Sequence, residues 1–287
     1  DLLFEEAAVN DRTNENNEKE QIRSMEGIVR HARLSNPDMD IVIMYFVDPD
    51  KINDYNKGKT PNEIANHEKV ATYYNIPVIN LAKEVTDRIN AGEFSWEQDF
   101  KNLHPSPFGQ IIYFNSMKML LEHSWTGINS ADPVVSYKMP EPLDPFSYYK
   151  GKLLSANDLK MKAGWNVVQD WAPADKAGTR PNYVHVPMAV CETPGKILSI
   201  SFKGSAIGIA SASGPDAGIL EFSIDGSKWS QRDTYTQWSK SLHLPWFVMF
   251  ADELKPGRHT LQLRLSADTN TRSIGTACRI RYVLIND

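Results

Sequence analysis

Two short stretches carry residue types suited to acyl transfer. "LLFEEAAVND" ends in Asn10 and Asp11, and "DFKNLHPSPFGQ" holds Asp99, His104 and Pro105. A side-chain amide such as that of Asn10, at the end of a strand, can donate to the oxyanion formed when an ester carbonyl is attacked. The same pair can equally turn the chain and cap the next helix, and "NDRTNEN" is rich in capping residues. An imidazole titrating near about 6.5 suits a general base at neutral pH. His104, followed by proline just ahead of a helical pattern, is expected on a loop, and Asp99 is the nearest acidic residue upstream that can orient it. The remaining histidines fall in helical patterns (His31, His67, His123) or in the strand-rich half (His185, His243, His259).

These groups need a scaffold, and the first 128 residues alternate strand and helix patterns. Leu2–Phe4 with Ala7–Val9 reads as a buried strand whose carboxyl end carries Asn10 and Asp11. Ile22, Met25, Ile28, Val29 and Ala32 recur at helical spacing, and Pro37 ends that helix. "DIVIMYFVD" is a near-continuous apolar run, as in a strand buried on both faces. "TPNEIANHEKVATYYN" predicts a helix with Thr60 as N-cap and Pro61 at its first position, "IPVINLA" a short strand, and "HPSPFGQIIYFNSMKMLLEHSW" a closing helix. Such alternation implies a parallel sheet wrapped by helices, with ligands beyond the carboxyl ends of its strands.

Residues 129–147 contain four prolines in "SADPVVSYKMPEPLDPF" and read as a linker or packed connector. Residues 148–287 present short strand patterns with turn signals at "IDGSKW" and "LKPGRH", which predicts an all-β sandwich of the jelly-roll kind. Trp165, Trp171, Trp229, Trp238 and Trp246 crowd this half. Core packing is the first expectation for any of them, with Trp165 and Trp171 more exposed than Trp246. A sugar-stacking surface is the alternative. Cys191 and Cys278 lie in apolar segments without metal-ligand spacing and are expected as buried small hydrophobes.

With 287 residues, 41% hydrophobic and 23% charged, and a net charge of -5, the composition is that of a globular protein. Neither a basic stripe for nucleic acid nor an apolar run long enough to span a membrane stands out.

"AAVND" and "NLHPSPFG" together resemble the SGNH (GDSL-like) hydrolase family, whose blocks include a strand ending in Gly-x-Asn-Asp and an Asp-x-x-His-Pro segment before the last helix. The order and the α/β context fit residues 1 to about 125, and the second half resembles the β-sandwich modules appended to carbohydrate-active members. The resemblance implies a flavodoxin-like α/β domain, partial here, in which Asn10 belongs to the oxyanion hole and His104 activates a serine. Three departures stand out. Ala8 replaces the family glycine. Lys101 occupies the acid position three residues before His104, so either Asp99 reaches the imidazole or a Ser-His dyad works with a neutral partner; Asp99 is favoured because a carboxylate stabilises the imidazolium. The Gly-Asp-Ser block, upstream of the Asn-Asp strand in the family, does not occur in the chain. Ser106 sits in a Pro-Ser-Pro, and Ser211 and Ser213 belong to the β region. The expectation is therefore a C-terminal remainder of a longer protein whose missing segment supplies the serine.

The function so implied is a serine esterase that removes acyl groups, acetyl foremost, from carbohydrate, without a cofactor, in a secreted or periplasmic setting. A lipase-like acylhydrolase is the runner-up among enzymes. A non-catalytic carbohydrate-binding or scaffold protein derived from such a hydrolase is the alternative from another class.

Overall fold

A computed structural model describes residues 1–129 and 132–287; Ser130 and Ala131 of the expected linker lie outside the described residues. The chain divides into two units, Asp1–Tyr149 and Lys150–Asp287.

In the first unit, parallel strands β1 (Leu2–Glu5), β2 (Asp40–Met44) and β3 (Val78–Ile79) lie in the order β1-β2-β3, with Leu2 opposite Asp40 and Ile43 opposite Val78. Helices α1 (Ala8–Thr13), α2 (Glu18–Ser35), α3 (Pro49–Asn56), α4 (Asn62–Tyr73), α5 (Leu81–Asn90) and α6 (Pro107–Trp125) connect and flank them. Ile41 to Tyr45 are all buried, as the continuous apolar run predicts. α2 starts with a capping box, the Asn17 side chain accepting from the Glu20 amide and the Glu20 carboxylate from the Asn17 amide. It buries Met25 and Val29 in the core, while Ile28 is exposed.

Several local expectations change. The opening strand stops at Glu5, and "AVNDRT" is helical, because Glu6 supplies the cap that Ala7 lacks. "IPVINLA" yields two strand residues and then α5, started by Asn80 accepting from the Lys83 amide at 2.9 Å. α4 begins at Asn62 with no side-chain cap, so Thr60 lies outside it. α3, unforeseen, is capped by Asp48 with Pro49 at its first position. The proline-rich stretch packs on α2. Glu26 accepts the amides of Leu143 and Asp144, Asp144 pairs with Arg23, and the Arg33 guanidinium lies 3.8 Å over the Tyr137 ring.

In the second unit a four-stranded sheet runs β10 (Ser230–Asp233), β9 (Ile219–Ile224), β12 (Arg258–Leu265), β7 (Leu198–Lys203). A six-stranded sheet runs β11 (Leu244–Ala251), β8 (Ala206–Ser213), β13 (Cys278–Asn286), β6 (Val186–Cys191), β5 (Asn166–Trp171), with β4 (Gly151–Ser155) also on β13. All these pairings are antiparallel. Leu198, Ile200, Leu261 and Leu263 of one sheet and Ile207, Ile209, Ile280 and Val283 of the other form one core, so the unit is a β-sandwich. Asp225 and Gly226, both at positive φ, turn the β9–β10 hairpin. Trp165 and Trp171 are 1% and 6% exposed, the reverse of the expectation, and Trp246 is only half-buried. The Trp165 indole satisfies its N–H on the Lys196 carbonyl at 2.8 Å, which lets it enter the core. Among the described residues no helix is long and apolar enough to cross a membrane.

Cys191 and Cys278 face each other across β6 and β13, both free and buried, and burial pushes the Cys278 thiol up to about 12. Neither cysteine should react with a thiol reagent in the native protein at neutral pH, and both should react on unfolding; rapid native labelling would contradict the packing.

Asp216 forms a two-toothed pair with Arg279, at 2.8 and 2.5 Å. Burial opposes its charge, but Arg279 outweighs burial and holds the carboxyl below the usual 3.8. Because the folded state lowers this pKa, its stabilisation is present above 3.8 and is lost as pH falls through the folded value. Asp216→Asn should therefore cost about 3 kcal/mol at pH 7. In urea melts the gap to wild type should be flat at neutral pH and narrow below pH 3.8.

Candidate active site

The carboxyl ends of β1 and β2 form the edge where an α/β sheet offers its ligand site. Asn10 lies there on α1, one turn and a half long. Ala8, Val9 and Asp11 are buried while Asn10 between them is exposed, which directs its side chain outward. That side chain has no hydrogen-bond partner among the described residues.

Three contacts hold α1. Glu6 Oε1 accepts from the Val9 amide at 3.2 Å and from the Phe46 amide, just past β2, at 3.3 Å. Asp11 meets the buried His67 of α4 at 2.8 Å and accepts from the Asn16 side chain, also at 2.8 Å. Arg12 reaches Asp54 at 2.6 Å and Glu63 at 3.2 Å. Burial works against the Arg12 charge, yet these two carboxylates outweigh it and raise its pKa. Burial also pushes Glu5 and Glu6 upward, and for Glu6 the two amides, Lys51 and His67 pull the other way.

His104 sits on the loop between a single π-helical turn, Trp96–Phe100, and α6. It is exposed, its amide donates to Asn102 Oδ1 at 3.0 Å, and its ring has no partner among the described residues. Asp99 does not meet it: its carboxylate accepts from the Ser95 amide at 2.8 Å and hydroxyl at 3.2 Å. Lys101 follows at φ 76°, a conformation costly for a non-glycine residue. Ser106 donates its hydroxyl to the Asp99 carbonyl, accepts from the Gly109 amide to cap α6, and donates its amide to the Phe100 carbonyl at 3.1 Å. Ser106 is thus committed to the loop rather than to the imidazole.

One packed path connects the His104 loop to α1. Phe100 is fully buried and meets Tyr113 edge-on at 5.7 Å; Tyr113 stacks on Phe46 at 4.7 Å and accepts the Val47 amide on its hydroxyl at 3.1 Å. Phe46 then donates its amide to Glu6, which caps the helix of Asn10. Glu6 is a residue the motifs do not single out; two adjacent carboxylates after a buried strand are the signal for it, since buried carboxylates need partners.

Other cavities lie away from Asn10 and His104. A polar cleft of about 740 Å³ beside α1 is lined by Asp11, Arg12, Asp54, Glu63 and Lys69 among others, but not by Asn10 or His104. Behind it the fully buried Lys51 pairs with Asp48 at 2.5 Å and Glu63 at 3.3 Å. In the second unit a cavity of about 520 Å³ is lined by Trp171, Asp175, Glu192, Asp216, His243 and Arg279 among others. Among the described residues no cluster of three His, Cys, Asp or Glu side chains is placed to hold a metal.

No protein-family model and no curated protein matches the chain in sequence. Solved structures do match. A two-domain esterase active on acetylated mannans aligns at TM-score 0.68 and 16% identity, over 93% of this chain and 68% of that one. The same esterase co-crystallised with mannopentaose aligns at TM-score 0.67 and 17% identity, over 93% and 67%. A family two carbohydrate esterase from Cellvibrio japonicus aligns at only 0.30, with 12% identity, over 47% of this chain and 33% of that chain, a score that carries nothing further. At such identities the likeness is one of fold: over 93% of its length this chain is similar in fold to that two-domain esterase.

Proposed function

We propose that the protein is a serine esterase of SGNH type that removes acetyl groups from a polysaccharide, acetylated mannan being the first substrate to try, outside the cell or in the periplasm. The observation that carries this reading is a pair of exposed groups without partners among the described residues, Asn10 on α1 and His104 on the loop before α6, joined by the packed path through Phe100, Tyr113, Phe46 and Glu6. Fold likeness to an esterase over nearly the whole chain supports it.

The nucleophilic serine is proposed to come from polypeptide outside residues 1–287. Ser106 is occupied, and the chain spans 67% of the esterase it resembles in fold. Among the described residues β1 pairs with β2 alone, and α6 leaves Ile111, Phe114 and Trp125 exposed, an open apolar surface that a further layer of the same polypeptide suits.

His104 takes the serine proton as the oxygen attacks the ester carbonyl, and the Asn10 amide donates to the oxyanion. Collapse of the tetrahedral species expels the sugar alkoxide, which takes that proton from His104. Water, deprotonated by His104, then attacks the acyl-enzyme carbonyl; collapse breaks the bond to the serine oxygen, which takes the proton back from His104, and acetate leaves. Asp99 contributes by fixing the loop through Ser95 and Ser106, and the site works as a Ser-His dyad.

In the full-length protein His104→Ala should lower kcat for an aryl acetate by about a thousandfold or more. Asp99→Asn should cost less than about tenfold, where a true triad carboxylate costs on the order of 10⁴. A D99N loss as large as that of H104A would overturn the dyad. A wild-type protein that binds acetylated mannan without releasing acetate would favour the carbohydrate-binding alternative.

A further inference from the structure

We propose that Glu6 is a positioning residue for Asn10: its carboxylate oxygen joins the end of β1, the first turn of α1 and the exit of β2, and so fixes the direction in which the Asn10 amide points. The inference rests on the oxyanion role proposed above.

A six-residue helix has no stability of its own, since nucleation outweighs the few bonds it makes. Its orientation comes from what holds it. At the N-terminal end the first amides have no partner inside the helix, and the residue in the capping position, Ala7, has no side-chain acceptor. Glu6 takes over through Oε1, which accepts from Val9. The same oxygen accepts from Phe46, whose ring is stacked on Tyr113. The cap is therefore tied to the sheet and to α6, not merely to its own helix. The far end of α1 is held by Asp11 on His67 and Arg12 on Asp54. Those contacts anchor the far end; in the first turn, next to Asn10, Ala8 packs in the core and Glu6 supplies the side-chain hydrogen bond.

What the geometry asks of Glu6 is an acceptor at the right reach rather than a charge. Glutamine keeps an acceptor oxygen at that reach, alanine removes it, and aspartate draws it back by one methylene. This separates positioning from an electrostatic role.

The test is steady-state kinetics on an aryl acetate with the full-length protein. Glu6→Ala should lower kcat by about tenfold to a hundredfold, short of the full loss of an oxyanion donor, with KM changed less than about threefold. Glu6→Gln should retain kcat within about threefold. In an Asn10→Ala background, Glu6→Ala should cost less than about twofold more, because the group it positions is gone. If Glu6→Ala does not fold, Glu6→Asp takes its place in the same cycle. Amide hydrogen exchange over residues 9–13 should quicken in the Glu6→Ala or Glu6→Asp variant and stay unchanged in His104→Ala. Wild-type kcat in that variant, an undiminished cost in the Asn10→Ala background, or failure of glutamine to rescue would each overturn the inference while leaving the esterase reading intact. An inactive wild type would remove that reading and this inference with it.

Discussion

The carboxyl edge of the first unit hangs on a single oxygen. Glu6 Oε1 accepts amide protons from Val9 and Phe46, two backbone groups that the short helix and the short strand leave without partners of their own. An amide left unpaired in a buried setting costs about 1–3 kcal/mol. The carboxylate is held in an environment that disfavours its charge, and the two amides, with Lys51 and His67, offset that cost. Removing it would release both the start of α1 and the turn after β2.

From that joint outward the edge is rigid where it supports and free where it acts. Phe46, Tyr113 and Phe100 form a packed aromatic path, and Asp99, Ser95 and Ser106 close the loop at its other end. The two groups suited to chemistry, the amide of Asn10 and the ring of His104, are exposed and unpartnered among the described residues. Donors and bases held on a fixed frame with their polar atoms unspent are what electrostatic preorganisation requires. The strained Lys101 belongs to the same picture: it turns the chain between Asp99, whose carboxylate accepts from Ser95, and His104.

Much of this was legible in the residues. The buried run of β2, the apolar spacing of α2 and the Asp-Gly hairpin all follow from local pattern. Asn10 and His104 stand out by residue type and order, and their role as a pair rests on the function proposed above. What pattern could not reach is long-range. α1 reads as strand because Ala8 and Val9 are apolar; Glu6 caps it as a helix through Val9, and the tie of that same oxygen to Phe46, forty residues away, is what local pattern does not show. Asp99 reads as the partner of His104 by proximity along the chain, yet a π-helical turn and a serine four residues back claim it. Trp165 reads as exposed in an irregular segment, but a carbonyl at Lys196 satisfies its one polar atom and opens the core to it.

The central claim is that His104 activates a serine that lies outside residues 1–287. Labelling the full-length protein with a fluorophosphonate, followed by peptide mass spectrometry, tests it most directly. The account predicts one modified serine beyond these residues, with labelling suppressed in His104→Ala. A label on Ser106, or labelling indifferent to His104, would contradict it.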